Sequence, residues 1–236
     1  MVRCKWLIIL LCVSGLCSAQ LPEQQLFSAW LKQDMTVWSE QLNAQEWSSL
    51  SADQRNTYLT YEYGYVAAAI DAKQADAQRL LDTLVVHIQA QRSALPTGIP
   101  EAYLSACAAY QGRLHKIELP AQGIRSRKYA HEALEIAPDN PVVLNMNGCV
   151  DFYAPEFFGG DKKRALGYFQ KAKQNYEQQG DTLNNWQYAS NNMQLVMCLD
   201  KVGRTQEAIE LAQKLLIKDP DFTFIRDTYL PQMLNR

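Results

Sequence analysis

The chain has 236 residues, of which 47% are hydrophobic and 20% charged, and its formal net charge at pH 7 is −2. This nearly neutral balance excludes a nucleic-acid-binding protein, for which a strongly basic face is expected. The length is sufficient to bury a substantial core, either as one long domain or as an elongated repeat array.

The first 19 residues have the three parts of a secretory signal peptide. Two basic residues lie within the first five positions, residues 6–16 are almost wholly apolar, and residues 17–19 are small. The apolar stretch is shorter than the about 20 residues that a membrane-spanning helix needs. A lipoprotein signal modified at Cys17 is the alternative, but Leu16 stands where such signals carry a small residue. We therefore predict an exported protein, periplasmic or extracellular, with no integral membrane segment after signal cleavage and with a lipid anchor as the alternative.

Three of the six cysteines lie within the predicted signal peptide, which leaves Cys107, Cys149 and Cys198. An odd number cannot pair completely within one chain. Each of the three lies among small or apolar residues, and packing as a small hydrophobe is the favoured interpretation. A Cys149–Cys198 bridge is the alternative that an oxidising compartment permits. Removal of residues 1–19 also leaves 21 basic and 25 acidic residues, a net charge of −4.

Apolar residues recur at three- and four-residue spacing along the rest of the chain, which predicts an all-α fold. Ser51 and Asp161 are predicted helix N-caps because short side chains with an oxygen acceptor are preferred there. The short connections predict that successive helices pack antiparallel. The predicted helices are residues 24–32, 36–45, 52–70, 73–91, 100–117, 123–136, 141–153, 162–178, 183–202 and 205–217.

A repeat of about 34 residues is the clearest pattern in the C-terminal half. The stretch GRTQEA at residues 203–208, followed by Ala212 and Asp219-Pro220, resembles the second half of a tetratricopeptide repeat (TPR) unit. The matching frame begins at Ala189 and has Val196 where the family usually has glycine.

Two earlier segments resemble the same unit. PVVLNMNG at residues 141–148 resembles a first helix with Gly148 at the close-packing position, and ALGYFQKA at residues 165–172 resembles its second helix. Their connection, which includes APEFFGGD, is about five residues longer than usual for a TPR unit. YAHEALEIAPDNP at residues 129–141 resembles the junction between two consecutive units.

The chain is thus similar to the TPR family over residues 100–222. The resemblance implies a right-handed α-solenoid of antiparallel helix hairpins, with about four to five pairs in all. We predict a signal peptide at residues 1–19, divergent N-terminal helical pairs or a cap at 20–99, TPR-like repeats at 100–222, and a C-terminal tail or capping segment at 223–236.

TPR proteins generally hold peptides or partner proteins on a concave surface lined by their first helices, so the resemblance implies a non-catalytic scaffold or adaptor. Asparagine and methionine side chains suit adaptable contacts with such a partner. Packing of Met193, Met197 and Phe152 against neighbouring helices is the alternative interpretation. The candidate groove residues are Asn145, Cys149, Phe152, Trp186, Tyr188, Met193, Met197 and Lys201.

The segment APEFFGGD at residues 154–161 has two interpretations. Phe157 and Phe158 form either an exposed apolar tip or a plug between helices, with the two glycines making the turn; the plug is favoured. The neighbouring basic segments at residues 125–128 and 162–164 are too short for a polybasic membrane patch and are interpreted as solvated helix faces.

We predict no catalytic residue, metal site or cofactor. His87, His115 and His131 fall on different predicted helices, and none has the spacing of a zinc site. Phosphate-binding glycine loops and nucleophile motifs are absent from the sequence. The alternative function is a small-ligand-binding or transport accessory protein of the cell envelope, with aromatics near Trp186 around the ligand. An enzyme of unrecognised type is the less favoured third hypothesis.

Overall fold

The computed structural model describes residues 21–236, so the predicted signal peptide lies outside the described residues. This part of the chain is all-α and contains no strand. Two single 3-10 turns, Trp47–Ser49 and Glu156–Phe158, and a π-helical stretch, Phe224–Tyr229, accompany the α-helices. The α-helices are α1 Glu23–Leu31, α2 Met35–Asn43, α3 Ala52–Asp71, α4 Ala77–Gln91, α5 Ile99–Leu114, α6 Leu119–Ile136, α7 Pro141–Tyr153, α8 Lys162–Gln178, α9 Trp186–Lys201, α10 Thr205–Lys218 and α11 Leu230–Leu234.

None of the helices within residues 21–236 has both the length and the hydropathy to cross a lipid bilayer.

The predicted caps begin their helices. The Ser51 side chain accepts a hydrogen bond from the Gln54 backbone amide, and the Gln54 side chain accepts one from the Ser51 amide in return. Asp161 accepts from the amides of Lys163 and Arg164 at the start of α8. These bonds satisfy amides that have no partner within the helix, and both helix starts are therefore encoded locally.

Consecutive helices pack in pairs: α3 with α4, α5 with α6, α7 with α8, and α9 with α10. In the second pair the Ser105 hydroxyl donates to the Ser126 carbonyl at 2.8 Å. In the third pair a Cβ at Gly148 would lie 2.5 Å from Cε1 of Phe169. The absence of a side chain at Gly148 thus lets α7 approach the Phe169 ring, and this glycine lies at a helix contact as its spacing predicts.

The first helices of these pairs, α3, α5, α7 and α9, are called the inner helices below. Contacts between α3 and α5 join residues at matching heights, Thr60 with Tyr103 and Asp71 with Arg113. The same is true of α7 and α9, where the Asn145 amide donates to Asn191 at 3.0 Å. The inner helices therefore run in the same direction.

The N-terminal pair α1–α2 packs against α9 rather than only against its neighbour in sequence. The Trp30 ring lies 6.2 Å from the Trp186 ring and 5.3 Å from the Phe222 ring. The Thr223 hydroxyl donates to the Leu31 carbonyl at 3.0 Å. Both ends of the described chain thus meet beside α9.

The loop between α7 and α8 differs from the favoured interpretation, because Phe157 and Phe158 point outward and are exposed by 81% and 50%. The space beneath the loop is occupied by a polar cluster. The buried Asp151 carboxylate bonds Arg127 at 3.0 Å and Arg164 at 2.5 Å. This cluster leaves no apolar groove for the two rings, which pack on each other instead.

Candidate ligand-binding site

The inner helices meet around a central axis, and at mid-length this space is filled by their own side chains. The Tyr63 ring stacks on Tyr103 with centroids 4.9 Å apart. Its hydroxyl lies 3.6 Å from the sulfur of Met146 on α7 and 3.4 Å from the Tyr110 hydroxyl on α5. An extended peptide therefore has no continuous open groove along the inner helices.

A cavity of about 290 Å³ lies at the N-terminal ends of the inner helices. All four inner helices contribute side chains, and α8 and the loop before α5 complete the wall. The lining residues are Asn56, Thr57, Thr60, Leu95, Pro96, Ile99, Tyr103, Asn140, Pro141, Val142, Tyr176, Gln179, Asp181 and Gln187.

Two tyrosines with buried rings line this cavity. The Tyr103 hydroxyl accepts a hydrogen bond from the Gln187 side chain at 3.2 Å and donates to the Thr60 hydroxyl at 3.4 Å. The Tyr176 side chain is 1% exposed, and its hydroxyl has no partner among the described residues. An unmatched buried hydroxyl costs about 1–3 kcal/mol, so this group favours a ligand or water that accepts its proton.

Burial raises the pKa of the Tyr176 phenol well above its ordinary value, and it also raises that of Tyr103. Both phenols are therefore neutral at physiological pH and act as hydrogen-bond groups rather than as anions.

The charge of the cavity is low. Among its lining residues, Asp181 is the one charged side chain, and no lysine, arginine or histidine is present. Five apolar residues share the wall with hydroxyls and amides. This combination suits a compact, uncharged molecule with hydrogen-bond acceptors and an apolar part.

The opposite ends of the inner helices carry a different group of side chains. Arg113 pairs with Asp71 at 2.5 Å, and its guanidinium lies 5.9 Å from the centre of the Tyr110 ring. The Tyr153 hydroxyl donates to Gln194 at 2.9 Å. These contacts tie α3 to α5 and α7 to α9, and they separate this end from the cavity.

The residues predicted to line a groove fall into three environments. Asn145 and Cys149 lie half-buried at the centre of the inner helices, where the Asn145 amide bonds Asn191. Phe152 is buried against Phe169, and Met193 and Met197 are half-buried beside the same core. Lys201 is exposed at the end of α9.

The two predicted aromatic residues at the groove mouth are separated by the structure. Trp186 is buried among Trp30, Trp38 and Tyr63, and its indole N–H has no partner among the described residues. Tyr188 lies on the outer side, where its hydroxyl donates to Glu177 at 2.8 Å. Neither residue lines the cavity, and a binding role for these predicted residues stays a prediction.

The cysteines and histidines stand apart from the cavity. Cys107, Cys149 and Cys198 are free thiols, so the alternative Cys149–Cys198 bridge is not formed. Burial raises the pKa of the Cys149 thiol to about 12. His87 bonds the buried Glu62 carboxylate at 2.9 Å and stacks on Trp47, which makes it part of the packing between α3 and α4. Within residues 21–236 no cluster of side chains has the composition of a metal site.

The sequence interpretation missed the residues that form the cavity. Thr60, Tyr103, Tyr176 and Gln187 lie on four different helices, up to 127 positions apart in the printed sequence. Helical spacing carries no signal that the Tyr103 and Tyr176 side chains share one cavity.

The fold and the site define an all-helical protein whose parallel inner helices line a small, open cavity of low charge at one end. A solved structure of similar fold is the HusA haemophore from Porphyromonas gingivalis, with a TM-score of 0.60 and 18% sequence identity. The match covers 79% of this chain and 96% of that chain. At this identity the likeness is one of fold. No family model and no curated protein sequence matches the chain, so the TPR assignment is not confirmed.

Proposed function

We propose that this chain is an exported, non-catalytic protein of the cell envelope that binds a small ligand in the cavity at the N-terminal ends of the inner helices. The unpartnered Tyr176 hydroxyl in the cavity wall is the observation that carries the proposal. The proposal includes a TPR-like, right-handed arrangement of the helix pairs, preceded by a cleaved signal peptide.

Two observations favour a small ligand over a protein or peptide partner. The centre of the inner helices is filled by Tyr63 and Met146, which leaves a peptide no continuous surface. The structural neighbour is a haemophore, which its name describes as a carrier of haem rather than as a scaffold. A small-ligand or transport accessory role is therefore better supported than the scaffold role that the resemblance implies.

The volume and the lining residues of the cavity limit the class of ligand that it can bind. Its volume of about 290 Å³ lies at the lower end of the range for small-molecule sites, about 300–1,000 Å³. Histidine, cysteine and methionine, which commonly ligate haem iron, are absent from its lining residues, and Tyr103 and Tyr176 are the lining side chains of a haem-ligating type. The expected ligand is a compact, uncharged molecule that accepts a hydrogen bond from Tyr176. Haem is the second candidate because of the neighbour's fold.

The test is native mass spectrometry of the exported chain, purified from the envelope of its own host. We expect a stoichiometric small molecule that is released when the protein is denatured. Tyr176→Phe removes one hydrogen bond and should lower the occupancy about threefold to tenfold. Tyr168→Phe, on the same helix but outside the cavity lining, is the matched control and should leave the occupancy unchanged.

A parallel titration with haem, followed by its absorbance, separates the two candidates. Saturable haem binding that Tyr176→Phe does not weaken would show that haem binds outside the cavity. If neither a co-purifying molecule nor haem binding is found, the small-ligand proposal is wrong.

A further inference from the structure

One edge of the molecule carries an exposed aromatic tip at the loop between α7 and α8. The Phe157 and Phe158 rings contact each other in a tilted arrangement with centroids 4.4 Å apart, and they are exposed by 81% and 50%. Ile124, near the start of α6, is 70% exposed. Exposed large apolar side chains that cluster in this way are unusual on a protein surface that contacts only water.

The structure brings two basic segments together at this tip. Arg127 on α6 and Arg164 on α8 both bond the Asp151 carboxylate, although they lie on different helix pairs. Arg164 also donates to the Gly159 carbonyl at 2.9 Å, directly behind the two phenylalanines. Residues 125–128 and 162–164, which appear short and separate in the sequence, thus form one surface that we call the basic tip.

The basic tip is positive although the chain as a whole is negative. The two segments contain six basic residues, and the carboxylates of Glu118, Glu132, Asp151, Glu156 and Asp161 leave an excess of one positive charge. The net charge of the whole chain is −2. This local excess, placed around two exposed aromatic rings, is complementary to an anionic interface with an apolar interior.

We propose that the basic tip docks the exported protein on an anionic phospholipid bilayer, with Phe157 and Phe158 in the interfacial layer and the surrounding cations beside lipid phosphates. Aromatic side chains are favoured at the boundary between headgroups and acyl chains. Each exposed cation within a Debye length of an anionic surface strengthens the attraction.

Docking at this edge is compatible with ligand binding. The basic tip lies at the C-terminal end of the inner helix α7, whereas the cavity lies at the N-terminal ends of the inner helices. A protein bound through the basic tip therefore keeps its cavity open to the surrounding solution. The docking proposal does not depend on the identity of the ligand.

The experiment is co-sedimentation of the exported chain with vesicles of phosphatidylglycerol mixed with phosphatidylcholine, and with vesicles of phosphatidylcholine alone. We expect binding to the anionic vesicles, weakened by added salt. The double variant Phe157→Ala/Phe158→Ala should reduce the affinity at least tenfold. Lys162→Glu/Lys163→Glu should reduce it on anionic vesicles only.

Leu183→Ala/Ile217→Ala is the matched control, because these two residues are exposed by 80% and 82% at the cavity end. This control should retain the full affinity, and circular dichroism should show the same helix content in every variant. The proposal is overturned by wild-type protein that ignores anionic vesicles. It is also overturned by equal binding to both vesicle types, or by an equal loss in the control. Binding of this protein to an acidic protein surface but not to vesicles would likewise overturn the proposal.

Discussion

Gly64, in the middle of α3, lies at a close contact with two aromatic residues of the molecule's interior. A Cβ at this position would lie 2.6 Å from Cζ3 of Trp38 and 2.9 Å from Cη2 of Trp186. Both rings are buried, and each contacts a second aromatic ring, so neither has free space to move into. The absence of a side chain at Gly64 is therefore what allows α2, α3 and α9 to meet.

We expect Gly64→Ala to lower the free energy of unfolding by about 1–3 kcal/mol, because overpacking outweighs the higher helix propensity of alanine. Urea unfolding followed by circular dichroism measures the change. Gly167→Ala on α8 is the control, since no atom lies within 4 Å of its added Cβ. It should raise the stability by about 0.5–1 kcal/mol. Equal effects of the two substitutions would contradict the packing at Gly64.

At the scale of the element, the sequence predicted most helices closely. The bounds of α7 and α8 agree with the prediction at both ends, and their starts are fixed by Asn140 and Asp161, which cap the first turns. The structure begins α6 four residues before the predicted start, because Pro120 fits the first turn of a helix. The helical C-terminal segment was predicted only as a tail or cap, because its order depends on distant partners.

Those distant partners converge on Asp200, near the end of α9. The carboxylate, buried between α9 and the C-terminal segment, accepts hydrogen bonds from Arg236 at 2.8 Å and Tyr229 at 3.1 Å. Thr205 donates to it as well, at 3.0 Å. Desolvation acts to raise the pKa of Asp200, but these hydrogen bonds outweigh it and hold the pKa below its ordinary value.

The lowered pKa of Asp200 predicts that the free energy of unfolding decreases as the pH falls. An aspartate in the unfolded chain has a pKa of about 3.9, and in the folded state Asp200 binds its proton only at lower pH. The stabilisation is thus fully present above the unfolded pKa and is lost as the pH falls through the folded pKa. Asp200→Asn should cost about 1–3 kcal/mol at pH 7 and less at pH 3.

Urea unfolding at both pH values measures this difference. Asp53→Asn, an exposed carboxylate in the first turn of α3, is the control and should change the stability little at either pH. A penalty for Asp200→Asn that is the same at pH 7 and pH 3 would contradict the role of the charged carboxylate.

At the scale of the whole molecule, the inner helices close on one another, and the sequence contains no local signal for this. Repeat arrays usually contact only their nearest neighbours. Here Trp186 on α9 lies 5.4 Å from Trp38 on α2, although 148 positions separate them. The sequence interpretation placed Trp186 among the groove residues, because helical spacing carries no information about a partner so far away in the chain. The same long-range closure also fills the centre of the inner helices and confines the cavity to one end.

The contact of α1 with α9 predicts that a destabilising substitution in α1 also destabilises the C-terminal end of the chain. Trp30→Ala removes the ring that contacts both Trp186 and Phe222. We expect amide hydrogen exchange in α9 and in the C-terminal segment to accelerate at least tenfold, which corresponds to a loss of about 1.4 kcal/mol of local stability. Exchange in α5 and α6, which α1 does not pack against, should change less.

Trp47→Ala is the informative control, because Trp47 stacks on His87 and contacts Tyr58 within the α3–α4 region. Its effect should remain in α3 and α4. An open array would instead show Trp30→Ala loosening only α1, α2 and α3, with α9 as protected as in the wild type. Direct contact between α1 and α9 predicts faster amide exchange in α9 without faster exchange in α4. A disturbance that travelled along the chain would reach α4 first.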